Sequence, residues 1–165
     1  MGGLHAKMWT MGQTGEPPLG YLLRRLAMLL RPRVTEALGP LGLGLSEFAF
    51  LRILALHPGR TSAELARDTH VTAQAANQLL HRLEALGAVS RPVTPASGRS
   101  LPAELTPEGK SLLARAERAV EKVDDHVLAG LTPAQQRQLK ALLAKAVGNQ
   151  ARTDCGPIVI SDPPQ

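Results

Sequence analysis

Apolar residues return at helical intervals through most of this chain, and glycine or proline closes most of the runs. From Leu19, the positions Leu22, Leu23, Leu26, Leu29, Leu30, Val34 and Leu38 predict a first helix, and Pro32 inside the pattern predicts a kink or a break. Gly39-Pro-Leu-Gly-Leu-Gly44 is a connector. Ser46 is placed to cap a second helix with Phe48, Phe50, Leu51, Leu54 and Leu56 apolar, ending at His57-Pro58-Gly59. Thr61-x-x-Glu64 has the form of a capping box and opens a third helix. Thr72 caps a fourth, which hides Val71, Ala75, Ala76, Leu79, Leu80 and Leu83, and Gly87 supplies its left-handed exit.

The periodicity then changes. Ala88 to Val93 reads as extended, Thr94-Pro-Ala-Ser-Gly98 as a turn, and Arg99 to Leu105 as the returning strand of a β-hairpin. Pro92 and Pro102 fit strand edges or ends, where a missing N–H does little harm. Thr106-Pro-Glu108 starts a long helix with Leu112, Leu113, Ala116, Ala119, Val120, Val123 and Val127 on one side. Thr132-Pro133-x-Gln135 starts the last helix, with Leu139, Leu142, Leu143, Ala146 and Val147 apolar. Residues 1–18 read as a flexible arm and residues 149–165 as a frayed, polar, Pro-rich tail. The predicted fold is mainly α with a small β-hairpin wing.

The third and fourth helices, joined by a tight turn and followed by a hairpin, form a winged helix-turn-helix over residues 46–105. On the fourth helix the face opposite the apolar one carries Thr72, Gln74, Asn77, Gln78, His81 and Arg82. An α-helix fits the major groove of DNA, and amides can donate and accept at once, as adenine requires. Gln74, Asn77, Gln78 and His81 share the solvent side of the helix, while Thr72 and Arg82 at its two ends suit phosphates. Arg99, beside Gly98 at the wing tip, is placed to enter a minor groove. A plain solvated polar face is the bland alternative for that helix, and a solvated turn arginine for Arg99.

Composition agrees with helices and with a polyanion. Aromatics make up only 2% of the 165 residues, so the core must come from Leu, Ala and Val, and the net charge is +5. No apolar run approaches the ~20 residues of a membrane span, and the start lacks the apolar core of a secretion signal. A single cysteine, Cys155, excludes an internal disulfide framework and suggests a reducing, cytoplasmic setting. The flanking segments, 19–45 and 106–148, contain more apolar surface than one small winged domain can cover, which predicts a homodimer; a compact monomer using the same residues is the alternative.

From Leu19 to Gly148 the chain resembles the MarR family of bacterial transcriptional regulators. The resemblance rests on Leu19-Gly-Tyr-Leu-Leu-Arg-Arg-Leu26, Leu41-Gly-Leu-Gly-Leu-Ser-Glu-Phe48, Ser62-Ala-Glu-Leu-Ala66, Leu83-Glu-Ala-Leu-Gly-Ala-Val89 and Leu105-Thr-Pro-Glu-Gly109, in that order. It implies a homodimer with winged helices beneath a helical dimerisation region, bound to a palindromic operator in double-stranded DNA. It also implies repression of nearby genes, relieved by small aromatic acids. One departure concerns the wing, where the family usually has an Asp, an Asp-Arg pair and a further Arg. Here Thr94 and Ser97-Gly98-Arg99 stand in those places, so Arg99 remains and its bracing carboxylate is replaced by Ser97. Ser97-Gly-Arg-Ser-Leu-Pro-Ala103 is similar to an actinobacterial subgroup with salicylate-responsive members.

Family ligands sit where the dimerisation helices meet the DNA-binding lobe. The resemblance brings Arg24, Met28, Phe48, Arg52 and His57 to that region, and a guanidinium beside apolar walls suits an aromatic carboxylate. The alternative is surface arginines over a packed core. The five histidines have no metal-ligand spacing, and no phosphate loop, nucleophile elbow or triad is present, so no metal, cofactor or catalysis is expected. Two functions from different classes remain. One is a ligand-responsive DNA-binding repressor (or an activator using the same chemistry). The other is a winged-helix module that binds protein and does not read DNA sequence.

Overall fold

The computed structural model describes residues 15–91 and 102–150. They divide into two compact units that meet in sequence at Val123 and Asp124. The first helix, α1 (Leu19–Leu38), starts against Pro18, whose carbonyl accepts from the N–H groups of Tyr21 and Leu22 at 3.0 and 3.2 Å. It runs unbroken through Pro32, so the predicted break does not occur. A proline removes a single N–H donor from a helix, and the turns around it continue here, with Thr35 Oγ1 donating to the Arg31 carbonyl at 2.9 Å.

A 3₁₀ turn at Gly39–Leu41 leads to Gly42 in the left-handed region, φ 70°. The next helix, α2 (Leu45–Leu56), is capped by Gly44 and not by Ser46. The Glu47 carboxylate explains the shift. Its Oε2 reaches back and accepts the Gly44 N–H at 3.2 Å, which leaves Ser46 exposed in the first turn. Phe50, Leu51 and Leu54 are fully buried, whereas Leu56, counted above as apolar lining, is 68% exposed.

The helices α3 (Ser62–Thr69) and α4 (Ala73–Ala85) form as the caps predict. Thr61 Oγ1 accepts from the Glu64 N–H at 3.3 Å, and Glu64 Oε2 accepts from the Thr61 N–H at 2.8 Å. The turn between them is made by His70, the one non-glycine residue with positive φ (55°) among the described residues. Val71 N–H then closes onto the Ala66 carbonyl at 3.0 Å. Beyond α4, Gly87 takes φ 67°, its N–H bonding the Glu84 carbonyl and the Ala88 N–H bonding the Leu83 carbonyl. That double closure turns the chain sharply into the wing.

The wing root is a two-stranded antiparallel sheet. Here β1 (Val89–Ser90) pairs with β2 (Glu104–Leu105), Val89 opposite Leu105 and Ser90 opposite Glu104. A bridge between Arg60 and Ala103 ties this root to the segment before α3. The predicted turn from Thr94 to Gly98 and the adjoining Arg99 lie outside the described residues. Thr106 then joins wing to helix: its hydroxyl donates to the Gly87 carbonyl at 2.6 Å and accepts the Gly109 N–H at 2.9 Å, capping α5 (Pro107–Val127). Leu38, Phe50, Leu51, Leu54, Leu65, Leu80 and Leu83 are the fully buried centre, and Leu113 and Ala116 of α5 belong to the same cluster.

In the second unit, α6 (Pro133–Gln150) opens with the predicted Thr132–Gln135 exchange, at 3.3 Å for the Gln135 N–H to Thr132 Oγ1 and 2.9 Å for the Thr132 N–H to Gln135 Oε1. Gln136 Nε2 donates to the carbonyls of Leu128 and Leu131, which holds the turn before it. Lys140 pairs with Asp124 at 2.8 Å.

Candidate nucleic-acid interface

Packing orients the recognition face. Ala76, Leu79, Leu80 and Leu83 are buried, which turns Gln74, Asn77, Gln78, His81 and Arg82 outward. Among the described residues the amides of Gln74, Asn77 and Gln78 take no side-chain hydrogen bond, so their donors and acceptors are available to base edges. Thr72 uses one lone pair as the cap of α4, accepting the Ala75 N–H at 3.2 Å, and keeps its hydroxyl hydrogen for an outside acceptor such as a phosphate.

Two cationic or titratable positions are less free than the sequence suggests. Arg82 Nη2 lies 3.0 Å from Glu47 Oε1, and that carboxylate is only 10% exposed. Glu47 thus caps α2 and struts α4 at once, and part of the Arg82 charge is already answered. His81 Nδ1 lies 3.2 Å from Glu84 Oε2 and 3.3 Å from Arg91 Nη2. Arg91 in turn grips Glu84 through both oxygens, Nε to Oε1 and Nη2 to Oε2, each at 2.6 Å. This fork joins the last turn of α4 to the residue after β1, and only 16% of the Arg91 side chain is exposed.

Sequence reasoning missed Glu47, Glu84 and Arg91. A signal existed for the last two, since an acid and a base seven residues apart flank the Gly87 turn.

The Arg91 fork holds the Glu84 carboxyl below the ordinary carboxylate range, with the hydrogen bonds from Arg91 outweighing the opposing effect of burial. A depressed acid contributes stability that is present above its unfolded pKa and is lost as pH falls through the lower folded value. Chemical denaturation of wild type and Glu84→Gln over a pH series is expected to show their largest stability gap near neutrality. The gap should close as pH drops below the ordinary carboxylate range, and a constant gap would refute the ion pair.

The five residues expected to bind a ligand fall on two helices. Arg24 and Met28 are exposed one turn apart on α1. Phe48 is half-buried against the core, Arg52 is exposed with its Nε 3.6 Å from Glu117 Oε1, and His57 is exposed at the end of α2. None of them lines the cavity of about 360 Å³ between α2, β2 and α5, whose walls include Leu54, Ala55, Pro58, Leu105, Lys110, Leu113 and Glu117. Lys110 supplies a cation there that the sequence did not single out. Among the described residues, no cluster of three His, Cys, Asp or Glu side chains could hold a metal ion, and no single helix is long and apolar enough to cross a membrane.

A profile of the MarR family matches residues 41–100. Over 135 residues the chain is 54% identical to the HTH-type transcriptional repressor Rv2887 of Mycobacterium tuberculosis, covering 82% of this chain and 97% of that protein. The HTH-type transcriptional repressor Mb2911 of Mycobacterium bovis is equally similar, at 54% over 135 residues. The crystal structure of Rv2887 in complex with DNA matches with a TM-score of 0.69 at 50% identity, covering 79% of this chain and 98% of that one. Its complex with salicylic acid matches with a TM-score of 0.67 at 53% identity, covering 81% and 99%. The apo form of wild-type MarR from Escherichia coli matches with a TM-score of 0.68 at 25% identity, covering 80% and 98%. The winged fold, the outward amide row on α4 and this identity over most of the chain agree, and the protein belongs to the MarR family.

Proposed function

We propose that this protein is a homodimeric transcriptional repressor that binds a palindromic operator and is released by a small aromatic carboxylate such as salicylate. The observation that carries it is the row of outward amides on α4, without side-chain hydrogen bonds among the described residues, on the second helix of a helix-turn-helix in a chain 54% identical to a repressor. Rv2887 has been crystallised with DNA, with salicylic acid and with p-aminosalicylic acid, which supports both halves of the reading.

In this reading Gln74, Asn77, Gln78 and His81 face base edges, Thr72 and Arg82 face phosphates, and Arg99 reaches from the wing. Dimerisation uses the N-terminal and C-terminal helices: Leu19, Leu22, Leu23, Met28 and Leu29 of α1 are all exposed in the single chain, between 39% and 66%, which is more apolar surface than a lone subunit keeps in water. Arg24, Met28, Phe48, Arg52 and His57 are our residues for the ligand. An effector acts by binding one separation of the two recognition helices better than another. The protein works in the cytoplasm, on chromosomal DNA.

Fluorescence anisotropy on DNA from the gene's own upstream region, over a salt series, tests the proposal. Site-specific binding that weakens steeply with salt and is reversed by salicylate is expected. Binding no tighter than to random duplex at every salt concentration would refute it.

A further inference from the structure

The amide side chains on α4 can present either sense of hydrogen bond. Gln74, Asn77 and Gln78 each carry a donor and an acceptor, and rotation of the amide exchanges them. His81 differs, because one of its two ring nitrogens is already engaged. Arg91 Nη2 sits 3.3 Å from His81 Nδ1, and a guanidinium has hydrogens to give and no lone pair with which to accept. That contact is a hydrogen bond only when Nδ1 accepts, which puts the ring hydrogen of the neutral imidazole on Nε2. Glu84 Oε2, 3.2 Å from the same Nδ1, competes for the opposite tautomer. Both Glu84 oxygens, however, already receive Arg91 at 2.6 Å, so its demand for a further donor is the weaker one.

The guanidinium cannot swing away easily. Two short bonds hold it to Glu84, its own pKa is raised by that partner, and its side chain is 16% exposed. The imidazole is 70% exposed, and Nε2 is its remaining hydrogen-bonding atom.

We infer that His81 is a base-reading residue of fixed polarity, an Nε2–H donor set by Arg91, which selects a base that accepts in the major groove, a purine or thymine, and refuses cytosine at one position of each half-site. The inference rests on the proposal that α4 is the recognition helix. Guanine N7 and O6, adenine N7 and thymine O4 accept in the major groove, whereas the cytosine edge offers only a donor, its N4 amino group. Arg91 and Glu84 are positioning residues: neither needs to touch the base.

Two measurements test this on the full-length protein. The first is nitrogen-15 NMR of the histidine rings, with His81 assigned by its loss in His81→Ala. A neutral ring with its hydrogen on Nε2 is expected, and a neutral ring with its hydrogen on Nδ1 overturns the inference. The second is selection from a random-sequence duplex library. One position of the enriched half-site should discriminate against cytosine, and His81→Ala should lose about three- to tenfold of that discrimination, the worth of one hydrogen bond, while the other positions hold.

Arg91→Met should lose the same discrimination with His81 in place, and its His81 ring should show a mixture of tautomers. An Arg91→Met protein that keeps both properties overturns the positioning role. If that variant does not fold, the wild-type ring assignment still decides. An enriched site that survives intact in His81→Ala overturns this inference alone, whereas no enriched site in wild type overturns the recognition-helix proposal beneath it.

Discussion

Gln74, Asn77 and Gln78 replaced together by alanine are expected to abolish operator-specific binding while leaving the protein folded. All three are exposed and without side-chain partners among the described residues, so their truncation opens no cavity and strands no buried group. Alanine also has the best helix propensity, so α4 should be as stable as before or slightly more so. A good bidentate base contact is worth about 1–3 kcal/mol, and losing two or more per subunit lowers specific affinity by about two orders of magnitude or beyond. Salt-dependent, sequence-independent binding should persist, because phosphate contacts do not come from these amides. Anisotropy on operator and random duplex, with a thermal melt as control, separates the two effects. Specific binding at wild-type strength would remove α4 from the interface.

The second large effect comes from a position with no chemistry of its own. A Cβ on Gly109 would lie 1.9 Å from the Ala88 carbonyl oxygen, 2.8 Å from its carbon and 3.1 Å from its Cα. Those atoms are backbone, held by the Thr106 N–H at 3.1 Å and by the start of β1, so they cannot rotate aside. Gly109→Ala is therefore expected to cost about 3 kcal/mol, the upper end for overpacking, even though glycine to alanine inside an exposed helix is a gain of about 1 kcal/mol. The opposite signs make the test sharp. Equilibrium denaturation should show the loss, and DNA affinity should fall with it because α5 can no longer seat on the wing root. A variant as stable as wild type would mean that α5 does not pack on Ala88 this closely.

The legible parts of the protein were those written in local chemistry. The caps at Thr61, Thr72, Thr106 and Thr132 each satisfy an N–H within three residues, and each forms where the spacing places it. The Gly87 exit belongs to the same class, because positive φ is a property of one residue and its neighbours. Ser46 failed because a competing local solution three residues past Gly44, the Glu47 carboxylate, satisfied the same N–H. Pro32 failed as a breaker because neighbouring turns sustain α1 around one missing donor.

The sequence alone therefore determined the order of elements, the buried face of α4 and, by exclusion, the polar face turned outward, since periodicity and capping act over a few residues. The polar face of α4, the helix-turn-helix and the hairpin pointed to DNA, and the family resemblance added repression and its relief by an aromatic acid. Tertiary structure decided what those outward side chains are free to do. Arg82 is partly answered by Glu47 of α2, His81 is oriented by Arg91 from across the turn, and Gly109 is required by a carbonyl 21 residues earlier. Each of these depends on distances between segments that no periodicity encodes, and they come into being only when the helices and the wing root pack.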